Sequence, residues 1–398
     1  MRISRRFGRR RIDSAPQEGG YALRILEITN VDFAMRQFLH PLMQALRDAG
    51  HHVEGGCAEG AHLSVVRDDG FTVHPLPMAR SFSPVAQVRA FRALIRLIRA
   101  VRPDIVHGHM PISGFLARIA AWWCDVPCIA YTCHGYLFNQ PGSARRRLLS
   151  FVLEWIAGQV TDRYMTVSQA EARDARRLSI HPWPHPVANG RDPVLYRPDA
   201  DRRARIRRAL GLDDSAIVIM AVSRLVRHKG YPELLRAMEH VPGAVLLIVG
   251  ERLASDHGDA MEEEFAHARA VLGDRLKCLG YRNDTADLLA AADIFTLPSH
   301  FEGLPMSVIE AMLSGLPIVA TDIRGPNEQV VEGVTGFLVP PGLAAPLAEA
   351  LAQLVRNPAL REAMGKAGRE RGCALYDQTH VLRNVVSILT QPSGGQDA

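Results

Sequence analysis

The chain has 398 residues, and its 47% of hydrophobic and 22% of charged residues are typical of a globular protein with two cores. No apolar run reaches the roughly 18 residues that a membrane-spanning helix needs, which argues against an integral helical membrane protein. The net charge of +5 is divided unevenly, because residues 1–190 carry 24 arginines against 15 acidic residues and the remainder of the chain is acidic.

The chain begins with an arginine-rich segment, residues 1–20, that contains no apolar stretch. Such a start does not match a secretory signal, including the twin-arginine kind, so we interpret it as a disordered basic arm. Without export, the six cysteines are expected to stay reduced in a cytoplasmic protein. One loose group of potential zinc ligands comprises Cys124, Cys128, Cys133 and His134. Its spacing matches no standard ligand pair, and we predict no metal there.

Short apolar runs alternate with amphipathic stretches along the whole chain. In the first half the predicted strands are Ala22–Ile28, His52–Cys57, Thr72–Leu76, Asp104–His107, Cys128–Thr132, Tyr164–Val167 and Pro186–Ala188. In the second half they are Ile217–Val222, Ala244–Val249, Leu276–Leu279, Ile294–Leu297 and Ile318–Thr321. The helices predicted between them include Phe38–Ala49, Ser113–Trp122 and Ser168–Leu178. This alternation predicts an α/β fold with two parallel, doubly wound sheets.

Domain boundaries follow from the places where this pattern is interrupted. The segment 191–210 is rich in proline and charge and is predicted to link a first domain, 21–190, to a second domain, 211–375. The pattern leaves open whether the last helix and tail, 376–398, cross back onto the first domain. Ligands of doubly wound sheets bind at the carboxyl ends of the strands, so the predicted site is a cleft between the two domains.

Two basic stripes lie on predicted helices of the first half. In 89–102, arginines at helical spacing indicate an ordinary amphipathic helix with a solvated face. For 145–156 two interpretations stay open, since arginines beside Leu, Phe and Trp fit either a solvated helix or one lying on an anionic membrane surface. Nucleic acid is not expected as a partner, because no recognition motif accompanies the charge.

The segment 299–312 carries the most chemical information. It follows a predicted strand and enters a helix through Gly303-Leu304-Pro305, a turn whose free backbone N–H groups are suited to binding phosphate. Glu302 precedes this turn and Glu310 follows it, so two carboxylates and an anion site would suit a nucleotide sugar. The alternative for Glu310 is structural, because Ser307 and Glu310 also match the Ser-x-x-Glu pattern of a capping box.

Cationic residues are predicted near the same turn. Arg224 follows the predicted strand Ile217–Val222, and Lys229 stands just before the next helix. The chain has 44 arginines and only three lysines, so a lysine at this place is notable. Lys229 could also be a solvated residue, but a cation at a helix N-terminus opposes the helix dipole unless an anion binds there. We therefore predict that both cations contact a diphosphate.

In the first half, the best candidate for a substrate contact is His134. It closes a predicted strand and precedes Gly135, which would let a ligand approach the backbone closely. His107 and His109 close the preceding strand in the same way and rank below His134, because Gly135 would let a ligand approach the backbone beside His134.

Taken together, these segments resemble the retaining glycosyltransferases of family 4, which have the GT-B fold of two Rossmann-like domains facing across a cleft. The resemblance covers roughly residues 22–390 and depends on several blocks that occur in the family's order. They are Thr132-Cys-His-Gly135, Asn189-Gly-Arg-Asp192 with Tyr196-Arg-Pro, Arg224 to Lys229-Gly230, Gly280-Tyr-Arg-Asn-Asp284, and Glu302-Gly-Leu-Pro to Glu310-Ala-Met.

The resemblance implies roles for individual residues. Arg224 and Lys229 would hold the donor diphosphate, and Glu310 would bind the ribose hydroxyls. Glu302 and His134 would lie near the donor sugar. The remaining donor-binding residues implied are Gly303, Leu304 and Pro305 of the turn and Arg282 of the loop near the base. The family usually needs no metal and no cofactor.

The function predicted from this resemblance is retaining transfer of a hexose from a nucleotide sugar, UDP rather than GDP, to a glycan or lipid-linked acceptor in bacterial surface polysaccharide synthesis. The expected place is the cytoplasm, with a peripheral contact between the basic first half and the inner face of the membrane. Many relatives have a Gly-Gly loop where this chain has Thr29–Ala34, which leaves the acceptor side open. Two alternatives also stay open: a UDP-sugar 2-epimerase of the same architecture, and a non-catalytic nucleotide-sugar-binding protein.

Overall fold

The computed structural model describes residues 22–78, 83–140, 142–252 and 261–392, so the predicted basic arm at 1–20 lies outside the described residues. The chain divides into two compact units. The first unit runs to Ala188 and also includes the chain from Val381 onward, and the second unit is Asn189–His380. Among the described helices, none has both the length and the apolar content to cross a bilayer.

The first unit is built on a seven-stranded sheet in which every pairing is parallel, with the strand order β3-β2-β1-β4-β5-β6-β7. Its strands are β1 Arg24–Ile28, β2 His52–Cys57, β3 Val73–Pro75, β4 Ile105–His109, β5 Cys128–Cys133, β6 Arg163–Thr166 and β7 His185–Pro186. Its helices are α1 Asp32–Ala34, which continues through a π-helical turn at Met35–Leu39 into α2 His40–Asp48, then α3 Leu63–Asp68, α4 Pro84–Val101, α5 Pro111–Trp123, α6 Ala144–Gln159 and α7 Gln169–Arg177.

Apolar side chains cover both faces of this sheet, as expected for parallel strands that are buried on two sides. Ile25 packs with α2 on one face, whereas the next residue, Leu26, packs with α4 and α5 on the other. The last helix of the chain, α16, follows the elements of the second unit in sequence. Its residues Val385 and Leu389 belong to the same buried cluster as Ile25, so the end of the chain completes the core of the first unit.

The second unit contains a six-stranded parallel sheet with the order β10-β9-β8-β11-β12-β13. Its strands are β8 Ile217–Val222, β9 Ala244–Val249, β10 Leu276–Cys278, β11 Ile294–Leu297, β12 Ile318–Thr321 and β13 Gly336–Val339. The helices from here to the end of the chain are α8 Ala200–Ala209, α9 Tyr231–Glu239, α10 Glu262–Leu272, α11 Thr285–Ala291, α12 Met306–Leu313, α13 Pro326–Gln329, α14 Ala344–Arg356, α15 Pro358–Tyr376 and α16 Gln378–Thr390.

The prediction of two parallel, doubly wound α/β sheets is confirmed. Five strands have the predicted bounds, namely β2, β8, β9, β11 and β12, and the other predicted strands differ at their ends. The strand Gly336–Val339 was missed because it is short, begins with glycine and lies at the sheet edge, where alternation is weak. Half of the segment predicted as a linker, 191–210, is the helix α8.

Candidate functional site

The loop between β11 and α12 holds a partly buried ion pair. Glu302 Oε1 accepts hydrogen bonds from Lys229 Nζ at 2.6 Å and from Ser299 Oγ at 2.7 Å. The side chains of Lys229 and Glu302 are only 15% and 10% exposed. A charge with so little contact with water needs an oppositely charged partner. Lys229 and Glu302 are such partners for each other. The structure thus brings together two predicted site residues and adds Ser299, which sequence reasoning missed.

Lys229 reaches Glu302 because the loop after β8 lies directly on the end of β11. Gly230 has φ of 76°, and a Cβ atom there would overlap the carbonyl oxygen of Pro298. The backbone N–H of His300 donates a 2.8 Å hydrogen bond to the carbonyl of His228. Only glycine permits both this left-handed conformation and this close approach. Gly230 is therefore required for the loop that carries Lys229 to lie on the end of β11.

The turn Gly303-Leu304-Pro305 is held through its carbonyl groups. The Leu304 carbonyl accepts a 2.7 Å hydrogen bond from Asn189 Nδ2, and the Pro305 carbonyl accepts one of 2.9 Å from Gln329 Nε2. Within the part of the chain that the structure describes, the backbone N–H groups of Gly303 and Leu304 have no acceptor. Two N–H groups without acceptors beside a cation form an arrangement suited to binding an anion.

Glu310 has a binding partner rather than a capping role. The helix α12 begins at Met306 without a side-chain cap, so Ser307 already lies inside the first turn and the capping-box interpretation is wrong. Instead, Glu310 Oε1 accepts a 2.7 Å hydrogen bond from Arg191 Nε. Burial and the Glu310 carboxylate raise the pKa of Tyr196, which contacts the same glutamate, above its usual range. Arg191 and Tyr196 belong to the blocks of the family resemblance, but no role was assigned to them.

The two predicted arginines have different surroundings. Arg224 is half-buried and follows the end of β8 by two residues, which places it in the same loop as Lys229. Arg282 follows the edge strand β10, two strands away from β8, and pairs with Asp284 at 2.8 and 2.5 Å. Its side chain is 39% exposed. Arg282 therefore stands apart from the Lys229–Glu302 pair, and its role at the nucleotide base stays a prediction.

In the first unit, His134 belongs to a cluster at the carboxyl ends of β1, β4 and β5. Glu27 Oε2 lies 2.7 Å from His109 Nε2 and 3.0 Å from His107 Nδ1. His109 Nδ1 lies 3.2 Å from Nε2 of His134. His107 Nε2 lies 2.8 Å from the hydroxyl of Thr132. Glu27, His107 and His109 are fully or almost fully buried, and His134 is half-buried.

Burial and the neighbouring groups change the pKa of three members of this cluster, Glu27, His109 and His134. Burial alone would raise the pKa of Glu27, but the charge and hydrogen bond of His107 and the hydrogen bond of His109 lower it to about 2. Burial and the neighbouring His107 lower the pKa of His109 to about 4, against the opposing bond to Glu27. Burial, with His109 and His107 nearby, also lowers the pKa of His134 well below its usual range.

Sequence reasoning missed Glu27, although its position within an apolar run could have revealed it. A glutamate inside the apolar run of β1 must be buried, and a buried carboxylate requires partners. Glu27, His107 and His109 hold their ligand-type atoms within 4.8 Å of one another, so among the described residues they form the group that could bind a metal ion. The absence of a metal from the reaction stays a prediction.

Comparison with known proteins shows which families this chain matches. The family described as "Glycosyl transferase 4-like domain" matches residues 34–190, and the family "Glycosyl transferases group 1" matches residues 202–371. The UDP-Gal:alpha-D-GlcNAc-diphosphoundecaprenol alpha-1,3-galactosyltransferase of Escherichia coli is 29% identical over 303 residues, covering 71% of this chain and 74% of that protein.

Two further comparisons extend over nearly the whole chain. The N,N'-diacetylbacillosaminyl-diphospho-undecaprenol alpha-1,3-N-acetylgalactosaminyltransferase of Campylobacter jejuni is 24% identical over 92% of this chain and 98% of its own. The crystal structure of Anabaena HepE in complex with UDP and glucose superposes with a TM-score of 0.80 at 21% identity, covering 92% of this chain and 99% of HepE. At that identity the superposition establishes the fold.

The fold is therefore GT-B, and the predicted resemblance is confirmed. The first family match ends at residue 190, close to the junction between the structural units after Ala188, and the second match begins at residue 202. The chain belongs to the GT4-type glycosyltransferases, and its named relatives include enzymes that build bacterial glycans.

Proposed function

We propose that this glycosyltransferase moves a hexose from a UDP-sugar to a glycan or lipid-linked acceptor in the synthesis of a bacterial surface polysaccharide, with retention of configuration and without a metal. One observation carries the proposal: a partly buried lysine–glutamate pair lies beside a turn whose Gly303 and Leu304 N–H groups have no acceptor in the described chain. The names of the Escherichia coli relative and of the HepE complex support UDP as the nucleotide.

In this proposal the diphosphate binds at the Gly303-Leu304-Pro305 turn. An ammonium group has three N–H donors, so Lys229 can keep its bond to Glu302 and still donate to phosphate oxygens. When the sugar leaves, negative charge grows on the diphosphate, and donors already fixed around it stabilise that charge without reorganisation. Arg224 would add a second positive charge from the same loop. In other transferases a metal ion often supplies the positive charge that stabilises the leaving diphosphate. In this proposal Lys229 and Arg224 supply it.

The carboxylates have separate parts in the proposal. Glu302 orients Lys229 and lies near the donor sugar, whereas Glu310 binds the ribose hydroxyls from a position fixed by Arg191. A carboxylate suits a hydroxyl because it only accepts hydrogen bonds and a hydroxyl can donate. His134 is proposed as a further contact of the donor sugar.

A transfer assay with product analysis tests this function. The purified chain would be incubated with a panel of UDP- and GDP-hexoses, with and without an undecaprenyl-diphosphate-linked sugar as acceptor. We expect a new glycosidic product and UDP only when the acceptor is present, and the anomeric configuration of that product reports retention. A new nucleotide sugar formed without acceptor would identify a 2-epimerase instead. Donor binding without any turnover would indicate a non-catalytic binding protein.

A peripheral membrane contact is part of the proposal, because lipid-linked acceptors are held in membranes. The helix α6 supports it. Its first turn is basic, with Arg145, Arg146 and Arg147, and the apolar residues that follow face solvent. Leu148 and Leu149 are 64% and 56% exposed. Exposed apolar residues beside arginines are typical of a helix that rests on anionic lipid headgroups.

A further inference from the structure

Three side chains of the first unit converge on one point inside the protein. Strand β1 contributes Glu27, and β4 contributes His107 and His109. The register pairs Glu27 with His107, and His109 is two residues further along β4, so all three lie on the same face of the sheet. Glu27 and His107 are fully buried, and His109 is 2% exposed. The order of the strands therefore builds this group, which no single segment of sequence contains.

The ligand-type atoms of this group have the spacing that a metal ion requires. Glu27 Oε2 lies 2.7 Å from Nε2 of His109 and 3.0 Å from Nδ1 of His107, and the two nitrogens are 3.2 Å apart. Zinc binds nitrogen and oxygen at roughly 2.0–2.1 Å, so neighbouring ligand atoms of a tetrahedral site are about 3.3 Å apart. The three atoms thus form one triangular face of such a site after moving apart by about 0.6 Å at most.

The outer nitrogens of both histidines have partners as well. His107 Nε2 lies 2.8 Å from the hydroxyl of Thr132, and His109 Nδ1 lies 3.2 Å from Nε2 of His134. Both partners can accept a hydrogen bond, which leaves the inner nitrogens able to offer their lone pairs to a metal. A histidine that binds a metal generally has an outer partner of this kind, which fixes the orientation of its ring. The group therefore has suitable ligands and also the contacts that orient them.

The charge of Glu27 and the hydroxyl of Thr29 give two further reasons for an ion. In the described chain no lysine or arginine pairs with Glu27, and a buried carboxylate without a cation is costly. Thr29 follows Glu27 by two residues and is fully buried, and its hydroxyl has no hydrogen-bond partner among the described residues. A dication would neutralise the carboxylate, and a water molecule bound to the ion as a fourth ligand would give this hydroxyl a partner.

We propose that Glu27, His107 and His109 bind a structural zinc ion that joins β1 to β4 and neutralises the buried carboxylate. Two imidazoles and one carboxylate are ligands that suit Zn²⁺, whereas Mg²⁺ and Ca²⁺ prefer sites made of oxygen atoms. The ion takes no part in the transfer step, for which the proposed function uses Lys229 and Arg224 of the second unit. The proposal is independent of that function, because it concerns the stability of the first unit.

Metal analysis of the full chain tests the site. The purified protein would be stripped with EDTA, incubated with excess Zn²⁺, desalted and analysed for metal. We expect about one Zn²⁺ per chain, and no retained metal after the same treatment with Mg²⁺. Free Zn²⁺ at about a hundredfold excess over Kd should raise the melting temperature of the stripped protein by roughly 5 to 10 °C. A folded wild-type protein that retains no Zn²⁺ would overturn the proposal.

The variants Glu27→Gln and His109→Gln assign the ligands. The first removes the negative charge and the second removes a ligand nitrogen, so each should weaken Zn²⁺ binding by more than about a hundredfold, beyond what the loss of an outer partner costs. The matched control is Glu54→Gln, a strand glutamate that contacts a single histidine, His74, at 2.6 Å. It should bind Zn²⁺ as the wild type does. Wild-type affinity in folded Glu27→Gln and His109→Gln would contradict the assignment.

Two further measurements decide the result if a ligand variant does not fold. Thr132→Val keeps the shape of the side chain and removes the outer partner of His107, so it should weaken Zn²⁺ binding by roughly 10- to 100-fold. Co²⁺ bound in place of Zn²⁺ reports its ligands through its absorption spectrum, in which a thiolate charge-transfer band would identify cysteines instead. Unchanged affinity in Thr132→Val, or a thiolate band in the wild type, would overturn the proposal.

Discussion

Lys229 and Glu302 neutralise each other, because Glu302 Oε1 accepts a hydrogen bond from Lys229 Nζ. Under the proposed function, the ammonium is already held in place by Glu302, so little side-chain freedom would be lost when the diphosphate binds. Glu302 also limits the positive charge of the site, which Arg224 partly restores.

Lys229→Ala should lower turnover by more than about a hundredfold, on the order of 3 kcal/mol of transition-state stabilisation. The reason is that the variant removes a donor aimed at the leaving diphosphate and leaves Glu302 without its partner. Steady-state transfer kinetics measure the effect. Lys366→Ala, an exposed lysine of α15, is the control and should retain wild-type turnover. Wild-type turnover in Lys229→Ala would remove the proposed diphosphate role.

Gly230→Ala should destabilise the second unit and impair transfer more than Gly243→Ala does. Both glycines have φ of 76°, so both substitutions share a backbone cost of about 1 kcal/mol. A Cβ atom at Gly230 meets the carbonyl of Pro298, whereas the same atom at Gly243 meets nothing. Melting temperatures and transfer rates of the two variants measure the difference. Equal losses would show that the close approach to Pro298 has no importance.

At the scale of elements, the loops that follow the strands bring the candidate site residues together. The loops that follow the neighbouring strands β8, β11 and β12 pack on one another, since Gly230 contacts Pro298 and Gly325 lies against the carbonyl of Gly303. Parallel strands end at the same edge of a sheet, so residues far apart in sequence meet there. The strands set the spacing of the loops, and glycines let the loops approach.

Replacing Leu148 and Leu149 of α6 by Gln should weaken binding to anionic vesicles by at least roughly tenfold, because each leucine contributes apolar area that leaves water on docking. Sedimentation with vesicles containing phosphatidylglycerol measures this binding. The control is the same double change at Val85 and Val88 of α4, which are also exposed on a basic helix that we interpret as solvated. Equal loss in both variants would contradict a specific role of α6.

At the scale of the whole molecule, each unit has its own parallel sheet and its own buried clusters. The histidine cluster lies in the first unit, which is therefore expected to lose stability first on acidification. When the pKa of a group is lower in the folded protein than in the unfolded chain, that group contributes fully to folding stability above its pKa in the unfolded chain. The contribution is lost as the pH falls from that value through the pKa in the folded protein. For His109 this window runs from about 6.5 down to about 4, and Glu27 follows below it.

His109→Gln should therefore make the melting temperature less dependent on pH between about 6.5 and 4. The reason is that one proton fewer is taken up on unfolding, which corresponds to at most about 1.4 kcal/mol per pH unit. Thermal unfolding at several pH values measures the slope. His52→Gln is exposed and should leave the slope unchanged, and an unaltered slope in His109→Gln would contradict the buried neutral state of His109.

Much of this architecture could be predicted from short stretches of sequence. The strands of a parallel sheet are buried on both faces, so they are local apolar runs that need no knowledge of their neighbours, and five of them have the predicted bounds. The Gly303-Leu304-Pro305 turn could be recognised for the same reason. The capping-box interpretation of Ser307 failed because that pattern is also local, and the start of α12 at Met306 decides its meaning.

The sequence by itself determined the fold class and the family, since both follow from short stretches of residues that are neighbours along the chain. The tertiary structure alone decided which side chains meet. Glu27 and His107 are 80 residues apart in sequence, and Arg191 and Glu310 are 119 apart. Such contacts depend on the order and register of strands in the sheet and on the packing of loops at its edge, and neither is encoded within a single segment.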